Sequence, residues 1–184
     1  MRIIAGRFRG RALTPVGKGD TGAHLRPTPD RVRESLFSML THRDVIQGAR
    51  ILDLFAGTGA LGFEALSRGA AEVCFVENGR VGAQLITRNI SLLNAGADTR
   101  LLRRDATRLG VADAPFDLIF LDPPYGQGLG EKALATGAAG GWFGKEALIV
   151  WEENAPQPAP EGFDAVDARR FGDTYLTLLV FKKN

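Results

Sequence analysis

A single cysteine, Cys74, stands in the 184 residues, which excludes an internal disulfide and any cysteine-cluster metal site. In "EVCFVE" it reads as a buried strand residue. The two histidines, His24 and His42, lie in unrelated contexts without metal-ligand spacing, so surface or capping positions are expected for both and no metal is expected. No stretch approaches the roughly 20 apolar residues of a membrane span, and "MRIIAGRFRGR" at the N-terminus lacks the apolar centre of a signal peptide. These absences predict a cytoplasmic protein. The 45% apolar and 24% charged composition is that of a folded chain, with a length that suits one domain, residues 1–184, rather than two. No internal repeat is visible, and the Pro-rich "NAPQPAPEG", residues 154–162, reads as a loop.

Acid is missing from the first 18 residues, which hold five basic ones. Residues 1–50 carry ten Lys or Arg against four Asp or Glu, a charge of +6, and the remainder, with 13 against 17, carries −4. Arg7, Arg9 and Arg11 alternate along what reads as a strand and would share one face. A solvated edge strand guarded by charge is one reading. A phosphate-contacting extension over residues 1–25, with Arg26 beside it, is the stronger one, because an unbalanced basic segment suits a nucleic-acid partner.

Strands and helices alternate along the rest of the chain. In "RPTPDRVRESLFSML", Thr28 is expected to cap a helix with Pro29 in its first turn, and Val32, Leu36, Met39 and Leu40 form one apolar face. The apolar run "RILDLFA", a glycine-rich turn, the helical "LGFEALSR", the strand "EVCFVE" and the helical "VGAQLITRNISLLN" come next. "TRLLRRD", the strand "FDLIFLD", a helix near residues 130–139 and the strand "ALIVWEE" continue the pattern. "FDAVDARRF" and "TYLTLLVF" close it as a hairpin. An α/β fold is predicted, a mostly parallel sheet with helices on both faces.

The turn "GTGALG", residues 57–62, satisfies the general dinucleotide pattern, and Glu77 falls twenty residues after Gly57, as a nicotinamide enzyme would also have it. Asp53, just ahead of the glycines in "ILDLFAGTG", decides between cofactors. A carboxylate there repels a pyrophosphate, which needs the positive helix end. It welcomes a cation, and S-adenosylmethionine has no phosphate but carries an ammonium and a sulfonium. Glu77 can accept both ribose hydroxyls, and Asp105 in "RRDA" stands where an adenine edge is expected. Phe55, Gly57, Gly59 and Ala106 complete the expected cofactor set. Taken singly, Asp53 could be a strand-end residue, Glu77 a helix cap and Asp105 a turn former.

"LDPPYG", residues 121–126, ends the apolar "FDLIF" with two prolines that cannot continue a ladder. The rigid loop, Pro123 and Pro124 included, would hold the Asp122 carboxylate, the Pro123 carbonyl and the Tyr125 ring in one small space. That is equipment for a flat base bearing an amino group. Two acceptors on its N–H groups would shift the nitrogen toward tetrahedral geometry, aim its lone pair at a methyl donor and stabilise the cation that forms. Tyr125 would stack on the extruded base.

The ordered set "DLFAGTG", "VE", "RRDA" and "DPPY" resembles the Rossmann-like S-adenosylmethionine-dependent methyltransferases, and "DPPY" resembles the motif of those acting on exocyclic amines of bases. "MRIIAGRFRGRAL" followed by "LRPTPDRVRESLFSML" is similar to the start of the bacterial small-subunit ribosomal RNA guanine-N2 methyltransferases, and the match covers nearly the whole chain. That family carries Tyr or Phe at the position of Tyr125. The resemblance implies a seven-stranded, mostly parallel sheet with helices on both faces, a C-terminal antiparallel hairpin and a small basic N-terminal β extension. It also implies a monomer with S-adenosylmethionine as methyl donor and no metal, acting on one guanine of 16S ribosomal RNA in an assembling or assembled small subunit. An adenine-N6 methyltransferase of DNA or RNA and a non-catalytic RNA-binding assembly factor are the alternatives.

Overall fold

The computed structural model describes residues 1–17, 25 and 28–182. Among these, seven strands form one sheet: β1 Arg50–Leu54, β2 Glu72–Val76, β3 Thr99–Leu102, β4 Phe116–Leu121, β5 Phe143–Glu153, β6 Phe163–Phe171 and β7 Thr174–Phe181. Their order is β3-β2-β1-β4-β5-β7-β6. β1 to β5 are parallel, and β7 runs antiparallel to both of its neighbours. The expected seven-stranded sheet and C-terminal hairpin are present. No helix among the described residues is long and apolar enough to cross a membrane.

Central strands of a parallel sheet are covered on both faces and so read as apolar runs. Alternate residues then divide between two cores. Ile51, Phe75, Phe120 and Val150 face helices α1 (Asp30–His42), α2 (Ala60–Ser67) and α3 (Arg80–Leu93), meeting Leu36, Phe37, Phe63 and Ile86. Leu52, Ile119, Ile149 and Leu179 face the other way, against Leu134 of α4 (Leu129–Ala139) and the ring of Trp142. Cys74 is buried in β2, as its setting predicts, and burial holds its thiol above the usual range. His42 is exposed at the end of α1, and His24 lies outside the described residues.

Two expectations need correction. Thr28 is not the cap of α1. Pro29 takes that position with φ −56° and ψ 146°, and its carbonyl accepts the first helical bond, from Arg33 N–H at 3.0 Å. Thr28 precedes a proline, which turns it away from the helix, and its hydroxyl donates to Glu152 Oε2 on β5 at 3.3 Å.

The N-terminal arginines do not alternate along a strand. Pairing in the extension is confined to one antiparallel bridge, Arg2 with Ala12, and residues 5–10 form bends and turns between its two arms, so Arg7 and Arg9 share no strand face. The cause is competition from α2 for the backbone. Fully buried Glu64 accepts Ile4 N–H at 2.8 Å and Ala5 N–H at 3.1 Å, Ser67 Oγ accepts Phe8 N–H at 2.9 Å, and the Ser67 carbonyl accepts Arg7 N–H at 2.8 Å. Gly6, at φ +83°, lies so near this helix end that a Cβ would stand 1.8 Å from the Ser67 oxygen. Ile3, Phe8 and Leu13 are buried against the same core.

Candidate active site

Polar side chains collect where the parallel strands end. Asp53, one residue before the end of β1, is 2% exposed, and its Oδ2 accepts Gly62 N–H of α2 at 2.9 Å. Burial, opposed by that hydrogen bond and reinforced by the nearby charge of Glu77, pushes its carboxyl up to about 8. A Cβ on Gly62 would come within 3.0 Å of the Asp53 oxygen, so the helix approaches the strand end only because Gly stands there. Phe55 begins the turn at φ +57°, a left-handed conformation that costs a non-glycine residue free energy and is found mainly at functional sites.

Glu77, immediately after β2, is buried and spans two loops: Oε2 accepts Gly57 N–H at 2.8 Å and Oε1 accepts Gly79 N–H at 2.6 Å, beside the start of α3. The loop-tying role and the ribose role are compatible, since a carboxylate has about four acceptor sites. Asp105 stands apart on the β3 side. It is half-buried, and its Oδ1 accepts both the N–H and the hydroxyl of Thr107, at 2.8 and 2.7 Å, which lowers its pKa. Ala106 beside it is buried.

Asp122 follows β4 directly, and its N–H continues the ladder by donating to the Leu54 carbonyl at 3.4 Å. Its carboxyl is pushed well above the usual range, first by its recessed position and then by the charges of Glu152, Asp53 and Glu153. Pro123 is buried and Pro124 exposed. Tyr125 donates its hydroxyl to Glu152 Oε1 at 2.7 Å, and burial holds that hydroxyl well above its ordinary pKa. Gly126 N–H donates to both oxygens of Glu153, at 3.2 and 3.3 Å.

The structure thus brings Asp53, Phe55, Gly57, Gly59, Glu77, Asp122, Pro123, Pro124 and Tyr125 to adjoining strand ends, with Asp105 and Ala106 on the next strand outward. It does not bring the arginines there. Arg7 pairs with Asp98 at 2.7 Å and Arg11 donates to the Leu92 carbonyl at 3.0 Å, both near the amino ends of β2 and β3. Arg9 is exposed, and Arg26 lies outside the described residues. Sequence reasoning missed Glu152, Glu153 and the hydrogen bond of Thr28 to Glu152. The available signal was two adjacent acids closing the apolar run "ALIVWEE", the same punctuation that singled out Asp53 and Asp122.

A buried acid at the tip of β1, a second tying the glycine turn and a third beside a Pro-Pro loop form an acidic pocket, and since a bound cation favours the ionised form of these carboxyls while a phosphate opposes it, the pocket suits a cation more than a phosphate. The family model described as Conserved hypothetical protein 95 matches residues 1–180. Ribosomal RNA small subunit methyltransferase D of Escherichia coli strain K12 is 41% identical over 162 residues, 87% of this chain and 78% of that protein. The Haemophilus influenzae protein of the same name is 36% identical over 179 residues, 94% of this chain and 89% of that protein. The solved structure of the Escherichia coli protein yhhF superposes with a TM-score of 0.85 at 37% identity, covering 100% of this chain and 99% of that one. The chain belongs to the family of the ribosomal RNA small subunit methyltransferases D.

Proposed function

We propose that the chain methylates the 2-amino group of one guanine in 16S ribosomal RNA, with S-adenosylmethionine as methyl donor. The observation that carries this reading is the Asp122 carboxylate, held at the end of β4 by a proline pair, one strand away from the buried acid of the glycine turn. The donor would be held by Asp53 at its cationic end and by Glu77 at its ribose, with Phe55, Gly57 and Gly59 shaping the cradle and Asp105 and Ala106 beside the adenine. It supplies an electrophilic methyl group on a sulfonium.

The work of the protein is on the acceptor. The 2-amino nitrogen of guanine is a poor nucleophile because its lone pair is delocalised into the ring. Asp122 and the Pro123 carbonyl each accept one of its N–H bonds and turn the lone pair out of the ring plane. The nitrogen would take the methyl as the C–S bond of the sulfonium breaks, the electron pair staying on the departing neutral thioether. The nitrogen becomes cationic, and these oxygens stabilise the charge until its proton passes to solvent water. Pro124 fixes the loop, and Tyr125 offers its ring as a stacking surface for the extruded base. The substrate is 16S RNA within an assembling or assembled small subunit, met by a monomer.

The test is transfer of labelled methyl to 16S RNA from a strain lacking the protein, with the modified base mapped. Asp122→Ala should retain S-adenosylmethionine affinity by calorimetry while single-turnover transfer falls about 10²- to 10³-fold. A mutant with near-normal transfer removes Asp122 from the chemistry.

A further inference from the structure

We infer that Glu152 reads the N1–H of the target guanine and thereby makes the site selective for guanine over adenine. The inference rests on the function proposed above and deepens it: an Asp-Pro-Pro-Tyr loop grips an exocyclic amino group and has no means of telling the 2-amino group of guanine from the 6-amino group of adenine. The difference between the bases lies one atom further along the ring. Beside its amino group guanine carries a second donor, N1–H, whereas adenine carries a bare N1 lone pair. A selective site therefore needs a second acceptor next to the first.

The sheet supplies it. Phe120 pairs with Val150 and Leu121 with Trp151 in the parallel ladder of β4 and β5, and the same register carried one residue past the end of β4 sets Asp122 opposite Glu152. Rungs of a parallel pair point to the same face and lie about 4.8 Å apart. Both carboxylates therefore stand on the face of Phe120 and Val150, which is the face of Asp53 and α1. Among the charged neighbours of Asp122, Glu152 is felt most strongly. Two adjacent acceptors match two adjacent donors.

Glu152 is also held in a defined orientation. It is 7% exposed, and its two oxygens accept the Tyr125 hydroxyl at 2.7 Å and the Thr28 hydroxyl at 3.3 Å. Both donors fix the acid as an acceptor. An adenine N1 at this place would turn its lone pair toward a carboxylate and be repelled, so the contact rejects as well as selects.

The test uses 16S RNA carrying 2-aminopurine at the modified position. That base keeps the 2-amino nucleophile but has a lone pair at N1. The wild-type protein should prefer guanine by at least about tenfold in kcat/KM. In Glu152→Gln the amide can turn an N–H toward a lone pair, so transfer to guanine should fall about tenfold or more while transfer to 2-aminopurine changes little, and the preference should collapse. That collapse separates N1–H from the O6 that 2-aminopurine also lacks, since the mutation leaves any O6 contact alone. Tyr125→Phe, which removes the hydroxyl that Glu152 holds, should keep the preference. Equal wild-type rates on the two bases overturn the inference, and that comparison needs no variant to fold. So does an equal loss on both bases in Glu152→Gln. Loss of the preference in Tyr125→Phe overturns direct reading and makes Glu152 a positioning residue for the ring. The underlying function fails separately, if Asp122→Ala transfers normally to both bases.

Discussion

At the scale of the residue, the most consequential side chain is Asp53, a carboxyl 2% exposed in the middle of a parallel sheet. Its raised pKa means that the native protein binds a proton the unfolded chain has released. Between the ordinary carboxylate range and about pH 8 the stability of the free protein should therefore fall as pH rises, by up to about 1.4 kcal/mol per pH unit, and level off above that. Thermal unfolding from pH 6 to 9 should show this fall in the wild type and a smaller one in Asp53→Asn, which keeps an acceptor for Gly62 N–H but has no proton to lose at that position, the remainder coming from the raised carboxyl of Asp122. A cationic ligand favours the ionised form, so S-adenosylmethionine affinity should rise across the same window. In Asp53→Asn it should be about ten- to a hundredfold weaker, measured by calorimetry. An unchanged affinity would take Asp53 out of the cofactor site. The strand-end places of Asp53, Glu77 and Asp122 were legible in the sequence because glycines or prolines follow them closely, and that of Asp105 because it follows the apolar "TRLL". Glu152 was marked only by its place at the end of "ALIVWEE", and its nearness to Asp122 comes from a β4–β5 register that pairs residues thirty positions apart, which one strand read alone cannot disclose.

At the scale of the element, strands and helices were legible because their periods are plain: "FDLIF" is apolar at every position but the exposed Asp117 and became central β4, while the apolar face of α1 lies on the core at Val32, Leu36 and Leu40. The N-terminal segment was misread because a period of two in arginine looks the same in a strand and in a turn. What decides between them is Glu64 and Ser67, some sixty residues away, which take the backbone groups a strand partner would have used. Replacing Gly6 with Ala should force this clamp open and cost about 2–3 kcal/mol, lowering Tm by several degrees. Gly10→Ala is the control. Its φ of +79° imposes a similar backbone penalty, but nothing lies within 4 Å of the new methyl, so about 1 kcal/mol is expected. Equal effects in the two variants would mean that the segment is not held against α2.

At the scale of the whole molecule, charge and chemistry occupy opposite ends of the sheet. The acids stand at the carboxyl ends of the strands, whereas all three arginines are exposed and Arg7 and Arg11 are engaged near the amino ends of β2 and β3, so that among the described residues Arg9 is the member of the trio whose guanidinium makes no hydrogen bond. Changing all three to Gln should therefore flatten the dependence of log RNA affinity on log salt by about 0.7–0.9, one phosphate contact, rather than by two or more. S-Adenosylmethionine affinity should not move. A flattening near zero would mean that the extension meets no RNA, and one above two that Arg7 and Arg11 leave their partners to bind it. The sheet order carries a different consequence, one of timing. β7 is translated after both strands it separates, and β6 pairs with nothing else in the sheet. Glu153 and Phe181 are 28 residues apart, so at about 5–20 residues per second roughly 1–6 s pass between the synthesis of β5 and of the strand that covers it. Until β7 pairs with it, β5 has an unpaired apolar edge at Leu148–Trp151, and Glu152 lacks its rung with Leu176. The site is thus complete only once β7 has joined β5, and until then the unpaired edge of β5 is where misassembly can begin.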